Sequence, residues 1–141
     1  MPVINPSASG GGGQVHLWVP FITQWTKWTD MPSALSQDID GTQRRAWLDL
    51  TTYTQARIVV NRNAAGATNA ELRGQYWNNS AWTYLDGVDG PKINIAATGH
   101  TKSAWVNLAA EAKADWEIRV VGINGDAVAD PIFNSLALAF K

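Results

Sequence analysis

Apolar and polar residues alternate along most of this chain. Ala56, Ile58 and Val60 are separated by Arg57, Val59 and Asn61, the period-two pattern of a strand with one face buried. After the small and turn-forming run Asn63 to Asn69, Leu72 and Tyr76 alternate with Glu71, Arg73 and Gln75. Asn78-Asn79-Ser80 turns the chain again, and Trp82, Tyr84 and Leu85 begin a third strand. The stretch from Ala56 to Asp86 thus predicts three consecutive antiparallel strands.

The pattern recurs on both sides. Val15, Leu17 and Val19 alternate with His16 and Trp18, and Pro20, which has no amide to give a central ladder, marks an edge or a bend. Phe21 to Trp28 reads as a continuation. A long connection then runs through Gly41, with Thr29-Asp30-Met31-Pro32-Ser33 as punctuation and one helical turn at Ser33 to Gln37. From Arg45 to Leu50 the alternation returns, with Ala46, Leu48 and Leu50 on one face and Arg45, Trp47 and Asp49 on the other. Downstream, Gly87 to Pro91 is a turn, Lys92 to Ala96 a strand, Ala97 to Thr101 a turn, and Ser103 to Leu108 a strand. Ala109 to Lys113 is too short for an isolated helix and reads as a turn. Trp116, Ile118 and Val120 alternate with Asp115, Glu117 and Arg119, and Leu136, Leu138 and Phe140 face inward in the last strand.

Eight to ten short strands without a convincing helix predict an all-β fold, an antiparallel β-sandwich of the jelly-roll kind, with a barrel as the alternative. The lack of crossover helices excludes a parallel α/β architecture. A length of 141 residues fits one domain over 14–141, preceded by an arm at 1–13. The arm, rich in proline, serine and glycine, has too little apolar surface to fold alone. It fits a flexible tail, an added linker, or an extension that orders on a neighbouring subunit. Val3 and Ile4, beyond the glycines, favour the last.

Composition narrows the function. Charged residues make up 16%, against a typical ~25%, and a surface short of charge often meets a partner. The net charge of −1 without a basic cluster argues against nucleic acid, and no apolar run is long enough for a membrane span. The N-terminus lacks the cationic and apolar segments of a secretory signal. Without cysteine there is no disulfide or thiol chemistry. His16 and His100 stand in different regions and no nucleophile motif is present, so no catalytic residues are assigned and a non-enzymatic role is expected. The aspartates at 38, 40, 86, 89, 126 and 130 lie in turn-like sequences without EF-hand spacing, so no metal or other cofactor is assigned.

The eight tryptophans are the sharpest signal. Trp18, Trp47 and Trp77 fall on polar strand faces, where a covering chain explains them better than a core does. With Val3 and Ile4 they are the candidate assembly contacts. Trp25 and Trp28 in a polar stretch, and Trp77 and Trp82 beside a hairpin tip, are candidates for stacking on sugar rings. Strand-flanking aromatics also clamp hairpins by cross-strand packing.

The run Trp28-Thr29-Asp30-Met31-Pro32, then Asp49-Leu50-Thr51 leading to Gln55-Ala56-Arg57, Ala70-Glu71-Leu72-Arg73 with Gln75-Tyr76 and Trp82, and Ala129-Asp130-Pro131-Ile132-Phe133, resembles a small β-sandwich module of tailed-bacteriophage virion proteins and their bacterial relatives. The likeness spans most of residues 28 to 133 and rests mainly on fold-keeping positions. That type often carries a serine–aspartate–glycine hairpin before its tryptophan. Here the segment is Trp77-Asn78-Asn79-Ser80-Ala81, so a metal or sugar role tied to such a hairpin is not implied. The resemblance implies a virion structural protein, synthesised in the host cytoplasm. A capsid decoration role is favoured, with the major capsid protein or other virion subunits as partners and a homo-oligomer such as a trimer as the assembly state. The alternative is a carbohydrate-binding module that meets a host-surface glycan.

Overall fold

The computed structural model describes residues 16–33, 36–111 and 113–141. The arm with Val3 and Ile4 lies outside the described residues. The strands are β1 (Leu17–Ile22), β2 (Thr26–Lys27), β3 (Gln37–Asp38), β4 (Ala46–Leu48), β5 (Gln55–Ala64), β6 (Glu71–Trp77), β7 (Trp82–Tyr84), β8 (Lys92–Asn94), β9 (Gly99–Lys102), β10 (Val106–Asn107), β11 (Trp116–Ile123) and β12 (Ile132–Phe140), with a 3₁₀ turn at Ile39–Gly41.

They form two antiparallel sheets packed face to face. In the first, β12 lies between β5 and the pair β1 and β2, and β9 and β10 flank β5 on its far side. In the second, β11 lies between β6 and the pair β3 and β4, and β7 and β8 flank β6. Short strands that share a partner act as one interrupted strand. The pairing is then nested: first with last, second with second-to-last, and so inward to the β6–β7 hairpin. A long hairpin wound this way into two layers is a jelly roll.

Alternation explains the core. Ala56, Ile58 and Val60 on β5, Leu72 and Tyr76 on β6, Trp116, Ile118 and Val120 on β11, and Leu136, Leu138 and Phe140 on β12 are all buried. Pro20 sits in β1, an edge strand, where its missing amide costs no ladder bond.

Four local expectations are revised. Phe21 to Trp28 is not continuous, because β1 stops at Ile22 and resumes only as the two residues of β2. Gln37, the last residue of the helical turn expected at Ser33 to Gln37, belongs to β3, while positions 34 and 35 of that turn lie outside the described residues. Of the turn expected over Ala97 to Thr101, Gly99 to Thr101 belong instead to strand β9 (Gly99–Lys102), paired with the long β5. The strand expected over Ser103 to Leu108 shrinks to β10.

Trp28 is also revised. It is 2% exposed, so it offers no face to a sugar and is withdrawn as a glycan-binding candidate. Its amide donates to the Pro131 carbonyl at 2.9 Å, and its ring lies against Gly122 on β11. A Cβ on Gly122 would sit 2.3 Å from Trp28 Cζ3, and one on Gly125 would sit 2.6 Å from the Met31 carbonyl oxygen. These two glycines admit the indole and the Met31 backbone, so the Trp28-to-Pro32 segment is a plug between strands. Its polar flanks misled the sequence reading.

Candidate functional site

The most elaborate surface is the outer face of the second sheet. Residues of one parity along β6 and β11 point away from the core, and antiparallel register lines them into rows across the strands. Trp47 of β4 faces Glu117 of β11, and Trp77 of β6 faces Trp82 of β7. Because Ile118 pairs with Tyr76, Trp77 continues the register on the other side of Glu117. The row therefore reads Trp47, Glu117, Trp77, Trp82. In the next row Arg119 faces Gln75, which faces Tyr84.

An ion-pair network fixes these side chains. Asp38 accepts from Arg45 Nη2 at 2.7 Å through one oxygen and from Arg119 Nη1 at 2.7 Å through the other. Arg45 also reaches Glu117 at 3.4 Å, and Arg119 Nε donates to the Gln75 side-chain oxygen at 2.9 Å. Both guanidinium groups lie over the Trp82 ring, 4.5 Å and 4.1 Å from its centroid. Burial pulls the Arg119 pKa below its ordinary value, against the opposing effect of Asp38. Trp77 meets Trp82 edge-on at 5.6 Å.

The candidate tryptophans therefore separate. Trp47 is 65% exposed on this face, Trp18 is 57% exposed on the outer face of the first sheet, and Trp25 is 59% exposed in the β1–β2 connection. Trp77 is half-buried, with a flank still open. Trp82 is half-buried under two arginines, which makes it a poor platform for a sugar ring and a good clamp for the hairpin. The arginine–aspartate network itself was missed by sequence reasoning. Asp38 lies on β3, Arg119 on β11 and Arg45 just ahead of β4, and only the pairing of these strands brings them together.

Several turn aspartates serve their own backbone. Asp86 Oδ1 accepts from the amides of Val88, Asp89 and Gly90, and Asp126 Oδ1 from those of Val128 and Ala129. The amides at Ala129 and Val128 hold the Asp126 carboxyl below the usual carboxylate range. Among the described residues no group of three or more His, Cys, Asp or Glu is arranged to hold a metal ion. His16 stands edge-on to Trp105 at 6.0 Å, and His100 on β9 pairs with Asn61.

Tyr76 is fully buried, stacked on Trp116 at 3.8 Å between centroids and 8° between planes, and its hydroxyl donates to Glu111. Burial, then the Glu111 carboxylate, raises its pKa well above that of a free phenol. The folded state holds this proton more tightly than the unfolded chain does. The associated stability is therefore intact below pH ~10 and is lost as the pH climbs further. Denaturant melts across that range are expected to show the decline, and Tyr76→Phe to flatten it.

The chain matches no protein-family model and no curated protein.

Proposed function

We propose that this protein is a non-enzymatic virion structural protein, a jelly-roll module that attaches to an assembled phage shell, with capsid decoration as its favoured role. The observation that carries the reading is the pair of outward tryptophans on opposite layers, Trp18 on the first sheet and Trp47 on the second. Large exposed indoles are characteristic anchors of protein interfaces. Two of them on opposite faces suit a subunit that meets neighbours on both sides, where many copies convert weak contacts into avidity. The sparse charge of the chain and its resemblance to virion modules point the same way. The test is to purify particles from the lysate of a host that carries the gene and to search them for peptides of this chain. The reading expects the chain in the particle fraction at a fixed ratio to the major shell protein; its absence from intact particles would refute it.

A second reading, glycan binding, draws on one specific feature. Trp47 and Trp77 point outward from strands separated only by β11, about 10 Å apart at the usual ~4.8 Å strand spacing. A carboxylate stands between them, and this spacing suits an oligosaccharide laid across the sheet. This reading expects soluble glycans to quench tryptophan fluorescence in the wild type and not after Trp47→Ala or Trp77→Ala.

A further inference from the structure

The two sheets carry charge differently. In the second, Asp38, Glu71 and Glu117 are each tied to an arginine, and Lys92 is tied to Asp89, so that face neutralises itself. The strands of the first sheet, β1, β2, β5, β9, β10 and β12, contain no aspartate or glutamate. On its outer face Arg57 of β5, Lys102 of β9 and Lys141, just beyond β12, form no ion pair among the described residues. The positions outside the described residues hold no aspartate or glutamate that could supply one. Register gives the layout. Trp18 pairs with Ala139 and Ala139 with Arg57; in the next row Pro20 pairs with Ala137, Ala137 with Val59, and Val59 with Lys102. Their neighbours Ile58, Val60 and Leu138 belong to the core, so these residues face out. At the usual ~4.8 Å strand spacing, the backbone of Arg57 lies about 10 Å from that of Trp18, and Lys102 about 14 Å from the β1 edge. Lys141 and Arg57 share the Trp105 ring, at 4.5 Å and 4.4 Å from its centroid. Trp18 is 57% exposed beside them. The three cations are far apart in sequence, and only the sheet gathers them.

We propose that the outer face of the first sheet docks on an acidic protein surface, whose carboxylates meet Arg57, Lys102 and Lys141 and whose apolar side chains pack on Trp18. Cations gathered on one face repel each other, and carboxylates opposite them turn that repulsion into attraction and set the orientation of docking. The exposed indole supplies the apolar anchor that charge alone lacks. A nucleic-acid duplex fits less well. Phosphate-driven binding rests on ~6–10 contacts, and this face offers three cations beside an indole that a phosphate backbone does not use. The inference takes up the docking reading above and names the chemistry of one of its two faces.

The test is an NMR titration of the ¹⁵N-labelled full chain. It follows the indole N–H signals of Trp18 and Trp47, one on each sheet, assigned from their disappearance in Trp18→Phe and Trp47→Phe. The probes are an amidated peptide that alternates pairs of glutamates with single leucines, the same peptide with lysine in place of glutamate, and a short DNA duplex. The proposal expects saturable shifts at Trp18 from the acidic peptide, in the millimolar range, with Trp47 little changed, and molar salt to abolish most of the effect. Arg57→Gln with Lys102→Gln is expected to weaken binding about fivefold, and Lys92→Gln on the second sheet to leave it unchanged. Thermal midpoints separate lost binding from lost fold, and Lys102→Gln alone, at an exposed position, serves if the double variant does not fold. No saturable shift at Trp18, an equal response at Trp47 or to the lysine peptide, tighter binding of the duplex, or unaltered affinity in the folded variant would each overturn the proposal. The peptide needs no phage shell, so this result is separate from that of the particle search.

Discussion

Replacing Trp28 with alanine is expected to lower the folding free energy by about 3–5 kcal/mol, the usual cost of emptying a large aromatic site in a core. The indole is 2% exposed and packs against Gly122, where even a methyl group would collide with it. Gly122 itself contributes no side chain to fill the void, and Met31 beside it is already buried. Set against a typical total of ~5–15 kcal/mol for a domain, the loss leaves the fold marginal. Chemical denaturation of the two proteins measures it directly. Trp25→Ala, three positions upstream, is the control. That indole is 59% exposed, and the expected change is within about 0.5 kcal/mol. Equal costs for both substitutions would mean that the Trp28-to-Pro32 plug does not hold the sheets together.

Trp47→Ala and Trp18→Ala are expected to behave in the opposite way. Each indole is more than half exposed, so removing it leaves the folded chain almost as stable as before. The cost appears on docking. A hot-spot tryptophan contributes on the order of 2 kcal/mol, equivalent to a loss of about 30-fold in affinity. The two residues lie on the outer faces of different sheets, so their effects are expected to add in the double variant. Multivalent attachment magnifies the loss further. A binding measurement on single and double variants, accompanied by melting curves, separates docking from folding.

The fold was legible because a half-buried strand writes its inner face every second residue. Ala56, Ile58 and Val60, and Leu136, Leu138 and Phe140, identify their strands without outside help. Strands of two or three residues, such as β2, β3 and β10, are too short to show a period, and their boundaries were missed. β9, Gly-His-Thr-Lys, carries no apolar face and reads as a turn until β5 pairs with it. The same logic governs the surface. The outward placement of Trp18 and Trp47 follows from parity within a single strand. The burial of Trp28 depends on Gly122, more than ninety residues away, and nothing local announces it. The cover over Trp82 likewise depends on register among strands distant in sequence.

The most direct test of the docking account is a sedimentation binding isotherm of the purified chain on phage particles from a host that carries the gene, stripped of their own copies. Wild type, Trp25→Ala and the Trp18→Ala, Trp47→Ala double variant are compared. The account predicts saturation at a fixed number of copies per particle for wild type and near-complete loss for the folded double variant. Absence of saturable association by wild type, or an isotherm unchanged in the double variant, would contradict it.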